Sequence, residues 1–274
     1  MMDINFLKAN NVDVNKSLEL FGDIETYNNT IGDFLIGAKD KLPKLEMYKN
    51  NKDMANYTIY AHSLKSDAKY FGFTRLAELA YQHEMKAKEG DFSYVYENFD
   101  ILKQEANRMI EVVKKYLEQD STEKPVESVT VTMSSQPIAP NAEVYTENTI
   151  LVVDDSNIIR NFVSRIFKDN YKVGVAKDGQ EAINLIQANS NNNTISAILL
   201  DLNMPNVDGF AVLEYMKKNN LFTKIPVSII SGDSSKETID RAFTYQIVDM
   251  LGKPFNESDV KRVVEKTILY KQMN

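Results

Sequence analysis

The stretch Ala197-Ile198-Leu199-Leu200-Asp201-Leu202-Asn203-Met204-Pro205-Asn206-Val207-Asp208-Gly209 decides how the chain is read. Four apolar residues lead into Asp201, and the chain then breaks at Met204-Pro205 and at Asp208-Gly209. This pattern predicts a buried strand that delivers one carboxylate into a loop at its carboxyl end. In an open parallel sheet, ligands bind where such loops converge. Working outward, Ile150-Leu151-Val152-Val153 predicts a second buried strand ending in Asp154-Asp155. Ile225-Pro226-Val227-Ser228-Ile229-Ile230 predicts a third, ending in Ser231-Gly232, and a weaker run from Ile247 to Leu251 precedes Lys253-Pro254-Phe255. Three acids, a hydroxyl and a lysine are therefore expected at one edge of one sheet.

The rest of the C-terminal half supports that sheet. Strands are predicted near 149–153, 171–175, 195–200, 225–230 and 247–250, separated by helical stretches starting near Ser156, Asp178, Asn206, Ser234 and Asn256. Five such βα units give an α/β doubly wound five-stranded parallel sheet covered on both faces. Asp154 and Asp155 are then expected beside Asp201 on adjacent central strands. Three close carboxylates repel one another unless a cation neutralises them, and hard oxygen ligands suit Mg²⁺. One acid is then free to act as a nucleophile toward phosphorus, while a lysine and a hydroxyl stabilise the phosphoryl oxygens. A merely solvated acidic rim would need these residues to fall on four strand ends by chance.

The whole chain sets limits. Its 274 residues suffice for two domains with ordinary cores. A net charge of −7 and a pI near 5.1 argue against nucleic acid as a direct partner. There are no cysteines, which excludes thiol chemistry and, with only two histidines, leaves no plausible zinc site. The N-terminus lacks the basic and apolar regions of a signal peptide, and no apolar run approaches the ~20 residues of a membrane span. A soluble, cytoplasmic protein is expected.

Residues 1–119 show helical periodicity, with Tyr27, Ile31, Phe34, Ala38, Leu42 and Leu45 stepping by three and four, as do Val95, Phe99, Leu102, Ala106, Met109, Val113 and Tyr116. An all-α helical bundle follows, in which Pro43 is expected to kink the first long helix or mark its last turns. A helix over Asp53 to Phe71 has the core stripe Tyr57, Ala61, Leu64, Ala68 and Phe71. His62, Lys65, Ser66 and Lys69 then fall on its other side, expected to face solvent. Lys65, one turn from His62, is placed to pair with an anion held on the imidazole. His83 falls on the apolar stripe Phe73, Leu76, Ala80, His83 and Ala87, which predicts a packed histidine. Residues 120–147 change character: Pro125, Pro137 and Pro140 lie among Ser, Thr and Glu without glycine. Val129-Thr130-Val131-Thr132 reads as a strand only in isolation, and the stretch is assigned as a linker of about 30 Å root-mean-square span. Such a linker lets the domains meet or stay apart.

The string Ala-His-Ser-Leu-Lys-Ser-Asp-Ala-Lys-Tyr-Phe-Gly over residues 61–72 resembles the histidine-containing phosphotransfer (HPt) domain, with His62, Leu64, Lys65 and Gly72 matching and Ser66 in place of the usual glycine. The resemblance implies that His62 carries a phosphoryl group and that Lys65 contacts it, with Ser66 adding a hydroxymethyl group beside the site. Residues 148 to about 272 resemble the receiver domain of bacterial response regulators, which implies a flavodoxin-like fold. On that resemblance Asp201 matches the phosphoacceptor, Asp154 and Asp155 the acidic pair that binds Mg²⁺, and Asn203 the position whose backbone carbonyl completes the metal site. Ser231 matches the switch hydroxyl, and Lys253 the phosphate-contacting lysine. Met250 stands where the family usually has an aromatic switch residue, so an inward and outward aromatic ring cannot operate here.

The expected organisation is an HPt domain at 1–119, a linker at 120–147 and a receiver domain at 148–274. The expected function is a phosphorelay carrier holding phosphoryl groups on His62 and Asp201, not an enzyme, with neither a kinase nucleotide site nor a DNA-binding output domain. Its expected partners are an upstream sensor histidine kinase and other receiver or HPt proteins, with no oligomeric state assigned. Two alternatives stand beside it. One is a phosphatase using Asp201 as nucleophile, although Asn203 occupies the position where such enzymes commonly place a general acid. The other is an interaction scaffold with inert sites.

Overall fold

A computed structural model describes residues 2–119 and 143–273. The N-terminal part is helical throughout: α1 (Ile4–Ala9), α2 (Val14–Phe21), α3 (Ile24–Asn50), α4 (Met54–Tyr70), α5 (Thr74–Lys88) and α6 (Phe92–Glu118). Aspartates start most of these helices. The side chains of Asp3, Asp13, Asp23, Asp53 and Asp91 each accept a first-turn backbone N–H, which satisfies a donor that has no partner within the helix. The four long helices pack as a ring in the order α3, α4, α5, α6 and bury the predicted apolar stripes between them.

Pro43 does not end α3, which continues to Asn50. The proline and Lys39, whose carbonyl loses its helical donor, both lie on the exposed side. The freed carbonyl is therefore on the side open to solvent, and burial of Ala38, Leu42 and Leu45 holds the two halves in line.

The C-terminal part is a parallel sheet of β1 (Thr149–Val153), β2 (Lys172–Ala176), β3 (Ile195–Asp201), β4 (Val227–Ser231) and β5 (Met250–Gly252). Its order is β2-β1-β3-β4-β5, so β1, β3 and β4 are interior strands. The fifth strand starts later than predicted and is only a short edge. Five helices cover the sheet: α7 (Asn157–Phe167), α8 (Gly179–Asn189), α9 (Gly209–Lys218), α10 (Lys236–Ala242) and α11 (Glu257–Met273). None of the described helices is long and apolar enough to cross a membrane.

One sheet face packs under α8, α9 and α10 in a closed apolar cluster. Tyr145, within the stretch read as linker, belongs to this cluster. Its ring lies against Gly174, and its backbone N–H donates to Asn189 Oδ1 at 2.7 Å. Most of that linker, with Val129–Thr132, lies outside the described residues.

The opposite face, under α7 and α11, has a core that runs without a break into the helical bundle. Phe21 of α2 meets Phe162 of α7 edge-on at 5.4 Å between ring centres, and Tyr70 of α4 meets Phe255 at 6.0 Å. Along the same seam α3 packs on α7. Asn161 donates to Asp33 Oδ2 at 3.0 Å, and Arg165 reaches Thr30 and the Asn29 carbonyl. The two domains meet, and the surface they share leads to the carboxyl edge of the sheet.

Candidate functional site

Strand order assembles the acid pocket. Asp201 is the last residue of β3, and Asp154 and Asp155 follow the end of neighbouring β1. Ser231 closes β4 on the other side, and Lys253 follows β5. The loop after Asp201 is folded back tightly. Gly209 N–H donates to the Leu202 carbonyl at 3.0 Å, and a side chain at Gly209 would strike the Asp201 carbonyl. That close approach requires the Asp208-Gly209 pair noted in the sequence. Asn203 donates its backbone N–H to Asp201 Oδ1 at 3.2 Å, and Ser231 Oγ accepts from Asp233 N–H at 3.1 Å.

Asp154 and Asp201 are fully buried, and Lys253 is the cation between them. Its Nζ lies 2.6 Å from Asp154 Oδ2 as an ion pair and donates to Asp201 Oδ2 at 2.7 Å. Burial raises the Asp201 carboxyl above the usual carboxylate range, with Asp154 and Asp155 adding to the rise and Lys253 opposing it. Burial by itself would lower the Lys253 ammonium, but the three aspartates outweigh it and hold that group above its ordinary range. One oxygen from each of Asp154, Asp155 and Asp201 falls within 4.8 Å of the others. Three carboxylates against one ammonium leave a net negative pocket of hard oxygen donors, a set whose chemistry fits a divalent cation such as Mg²⁺. Met250 is half-buried and packs on the apolar cluster under α8, α9 and α10.

The second cluster is on α4, and here the expectation of a solvent-facing surface is corrected. His62, Lys65 and Ser66 are only 4%, 6% and 6% exposed; Lys69 alone of the four stays open. Periodicity placed His62 off the bundle's own core stripe, but the sheet domain covers that side. His62 Nδ1 lies 2.9 Å from Glu84 Oε1 on α5. Glu84 is an acceptor only, so Nδ1 carries the proton and donates it. Lys65 bonds Glu84 Oε2 at 2.6 Å, and Lys88 bonds Oε1 at 2.8 Å. Burial alone would raise the Glu84 carboxyl, yet the His62 hydrogen bond and the Lys65 charge hold it below the usual range. For His62 burial dominates and lowers the imidazole pKa despite Glu84, so the ring is neutral near pH 7. Its Nε2 is buried and has no hydrogen-bond partner among the described residues.

These two clusters face one another. Ser63 Oγ donates to Asp155 Oδ2 at 2.6 Å, so the hydroxyl that reaches the acids is Ser63 and not Ser66. Ser156, expected only to start α7, makes no capping bond there and donates its hydroxyl to Asp67 Oδ1 at 2.7 Å. Asp67 is anchored in turn by Lys41. Phe255 N–H donates to the Tyr70 hydroxyl at 3.3 Å. His62 Nε2 lies over Gly232, directly after Ser231, and feels the Lys253 charge.

Ser63, Asp67, Tyr70, Glu84 and Ser156 escaped the sequence reading. The available signals were weak: Ser63 directly follows His62, and Asp67, one turn on from Ser63, is the lone acid within α4. Gly72, matched by motif, has φ +70, and a side chain there would collide with the Asp13 carbonyl, so it acts through the α2–α4 junction. His83 is fully buried with Nδ1 2.8 Å from the Tyr57 hydroxyl, and burial pushes it down to about 4, as befits a packed histidine.

Comparison with known proteins covers the sheet domain. Residues 150–265 match the response regulator receiver domain family. The two-component response regulator ARR5 of Arabidopsis thaliana is 32% identical over 123 residues, covering 42% of this chain and 67% of the relative. The two-component response regulator ORR3 of Oryza sativa subsp. indica is 31% identical over 124 residues, covering 45% of this chain and 92% of the relative. Among solved structures, a Francisella response regulator receiver domain is 32% identical with a TM-score of 0.40, covering 47% of this chain and 100% of that one.

Proposed function

The chain belongs to the response regulator receiver family, and from that premise we propose that it is a phosphorelay carrier, holding phosphoryl groups on Asp201 and on His62 of an HPt-type bundle. The observation that carries this reading is the His62 imidazole. It is neutral and buried, its proton is held at Nδ1 by Glu84, and its free Nε2 is turned toward the acid pocket.

The residues divide the work. Asp201 accepts the phosphoryl group as an acyl phosphate. Asp154, Asp155 and Asp201, with the backbone carbonyl of Asn203, would hold Mg²⁺, whose chemistry is to neutralise charge on the phosphoryl oxygens. Lys253 and the Ser231 hydroxyl bind those oxygens. In transfer to His62, the Nε2 lone pair attacks phosphorus, a P–N bond forms and the P–Oδ bond breaks. The electron pair of the broken bond returns to the Asp201 carboxylate. Nδ1–H stays on Glu84, which stabilises the positive charge that develops on the ring. The reverse step restores neutral imidazole and acyl phosphate. A sensor histidine kinase upstream and other receiver or HPt proteins downstream are the partners this chemistry requires.

The reading of the protein as a carrier and not an enzyme rests on the same atoms. A phosphatase with an aspartate nucleophile needs a proton donor for its leaving group, and Asn203, two residues on, cannot serve as one. The test is incubation of the wild type, Asp201→Ala and His62→Gln with Mg²⁺ and acetyl phosphate, followed by intact mass and lability. The expected result is base-labile label on Asp201 and acid-labile label on His62, the latter lost in Asp201→Ala. Absence of label from every variant would overturn the carrier reading.

A further inference from the structure

We infer that Gly232 fits the acid pocket to the chain's own His62, so that the helical bundle is the resident occupant of the pocket and the gate to Asp201. Gly232, unlike Gly22, Gly72 and Gly90, does not have positive φ, so its φ does not demand glycine. What excludes a side chain is the imidazole. A methyl group at position 232 would sit 2.6 Å from His62 Nε2 and 3.0 Å from Cε1, closer than carbon tolerates.

The ring has no easy retreat. It is pinned at Nδ1 by Glu84, which is itself held by Lys65 and Lys88, and only 4% of the residue is exposed. Around this contact the bundle clamps the pocket at three further points: Ser63 on Asp155, Asp67 on Ser156, and Tyr70 on the backbone of Phe255. Asp201 is left 1% exposed. A protein partner that must bring its own imidazole to Asp201 therefore competes with the bundle and reaches the acid only after the bundle swings away. The absence of one methyl group selects the internal partner.

The inference builds on the carrier reading, but its first readout needs no phosphoryl chemistry. Small-angle X-ray scattering of the full-length wild type, Gly232→Ala and the double variant Gly232→Ala/His62→Ala is the test. Wild type is expected closed, Gly232→Ala extended, and the double variant closed again, because removing the ring removes the collision. Reclosure also shows that Gly232→Ala leaves both domains folded. A second readout is the initial rate of Asp201 labelling by acetyl phosphate with Mg²⁺, which is expected to quicken at least threefold in Gly232→Ala and to return to the wild-type rate in Gly232→Ala/His62→Ala. A Gly232→Ala chain that scatters like wild type, a double variant that stays extended, or a wild type already open would each overturn the inference. The expected scattering with no label on any variant would support the pairing and sink the carrier reading instead.

Discussion

The molecule buries two charged clusters within contact of one another, and they are balanced in opposite ways. In the sheet domain, Asp154, Asp155 and Asp201 face one ammonium, Lys253, and the surplus is negative. In the bundle, Glu84 faces Lys65 and Lys88, and the His62 ring beside them stays neutral. A buried surplus of carboxylates is unstable until a cation enters, which suits the proposed uptake of a metal and a phosphoryl group. A neutral ring whose proton is fixed on one nitrogen exposes a lone pair on the other, which suits a nucleophile. The lesson is that charge balance, more than residue type, assigns the two roles.

The contrast can be broken most completely at Asp201. Replacing it with asparagine keeps the shape and removes the acceptor oxygen, and label from acetyl phosphate should fall to background on both domains, as read by intact mass. Next in size is Lys253→Met. It leaves two buried carboxylates unpaired and is expected to cost about 3–5 kcal/mol in urea unfolding at pH 7. Millimolar Mg²⁺ should restore part of that loss by binding only the folded pocket, whereas Lys65→Met in the bundle should show no Mg²⁺ rescue.

Acid sharpens the bundle's side of the comparison through its packed imidazole. Above pH 6.5 folded and unfolded chains both hold His83 neutral; as the pH falls from 6.5 toward 4 only the unfolded chain takes up the proton. Stability should therefore drop across that window by about 3 kcal/mol, and His83→Gln should flatten this part of a pH series of urea midpoints. The smallest effect is expected from Glu84→Gln. An amide can accept from Nδ1 but cannot offset charge developing on the ring, so phosphoryl transfer to His62 should slow about tenfold. Asp201 labelling should remain, and ¹⁵N chemical shifts of the ring would report any change of tautomer.

Much of the pocket was legible in the sequence because strand ends carry their own signals. The apolar runs before Asp154, Asp201 and Ser231, and the glycine needed at 209, follow from local burial and turn chemistry, and the strand order required only parallel βα units. The contact between the domains was not legible. Periodicity correctly placed His62 off the stripe of Tyr57, Ala61, Leu64 and Ala68, but it cannot say what covers the other side. Solvent was expected there, and the structure has Asp155, Ser156 and Gly232. For the same reason Ser66 drew attention through its motif position while Ser63, one residue past the histidine, makes the contact. Glu84 lies far from His62 in sequence, and only the packing of α4 on α5 unites them.

The proposed relay passes a phosphoryl group between His62 and Asp201 within one chain. The most direct measurement loads Asp201 with acetyl phosphate and Mg²⁺, removes the donor by rapid desalting, and follows acid-labile label on His62 over a hundredfold range of protein concentration. Exchange within the chain gives one first-order rate constant at every dilution and no signal from Asp201→Asn. A rate that falls in proportion to dilution, or label reaching His62 without Asp201, would contradict it.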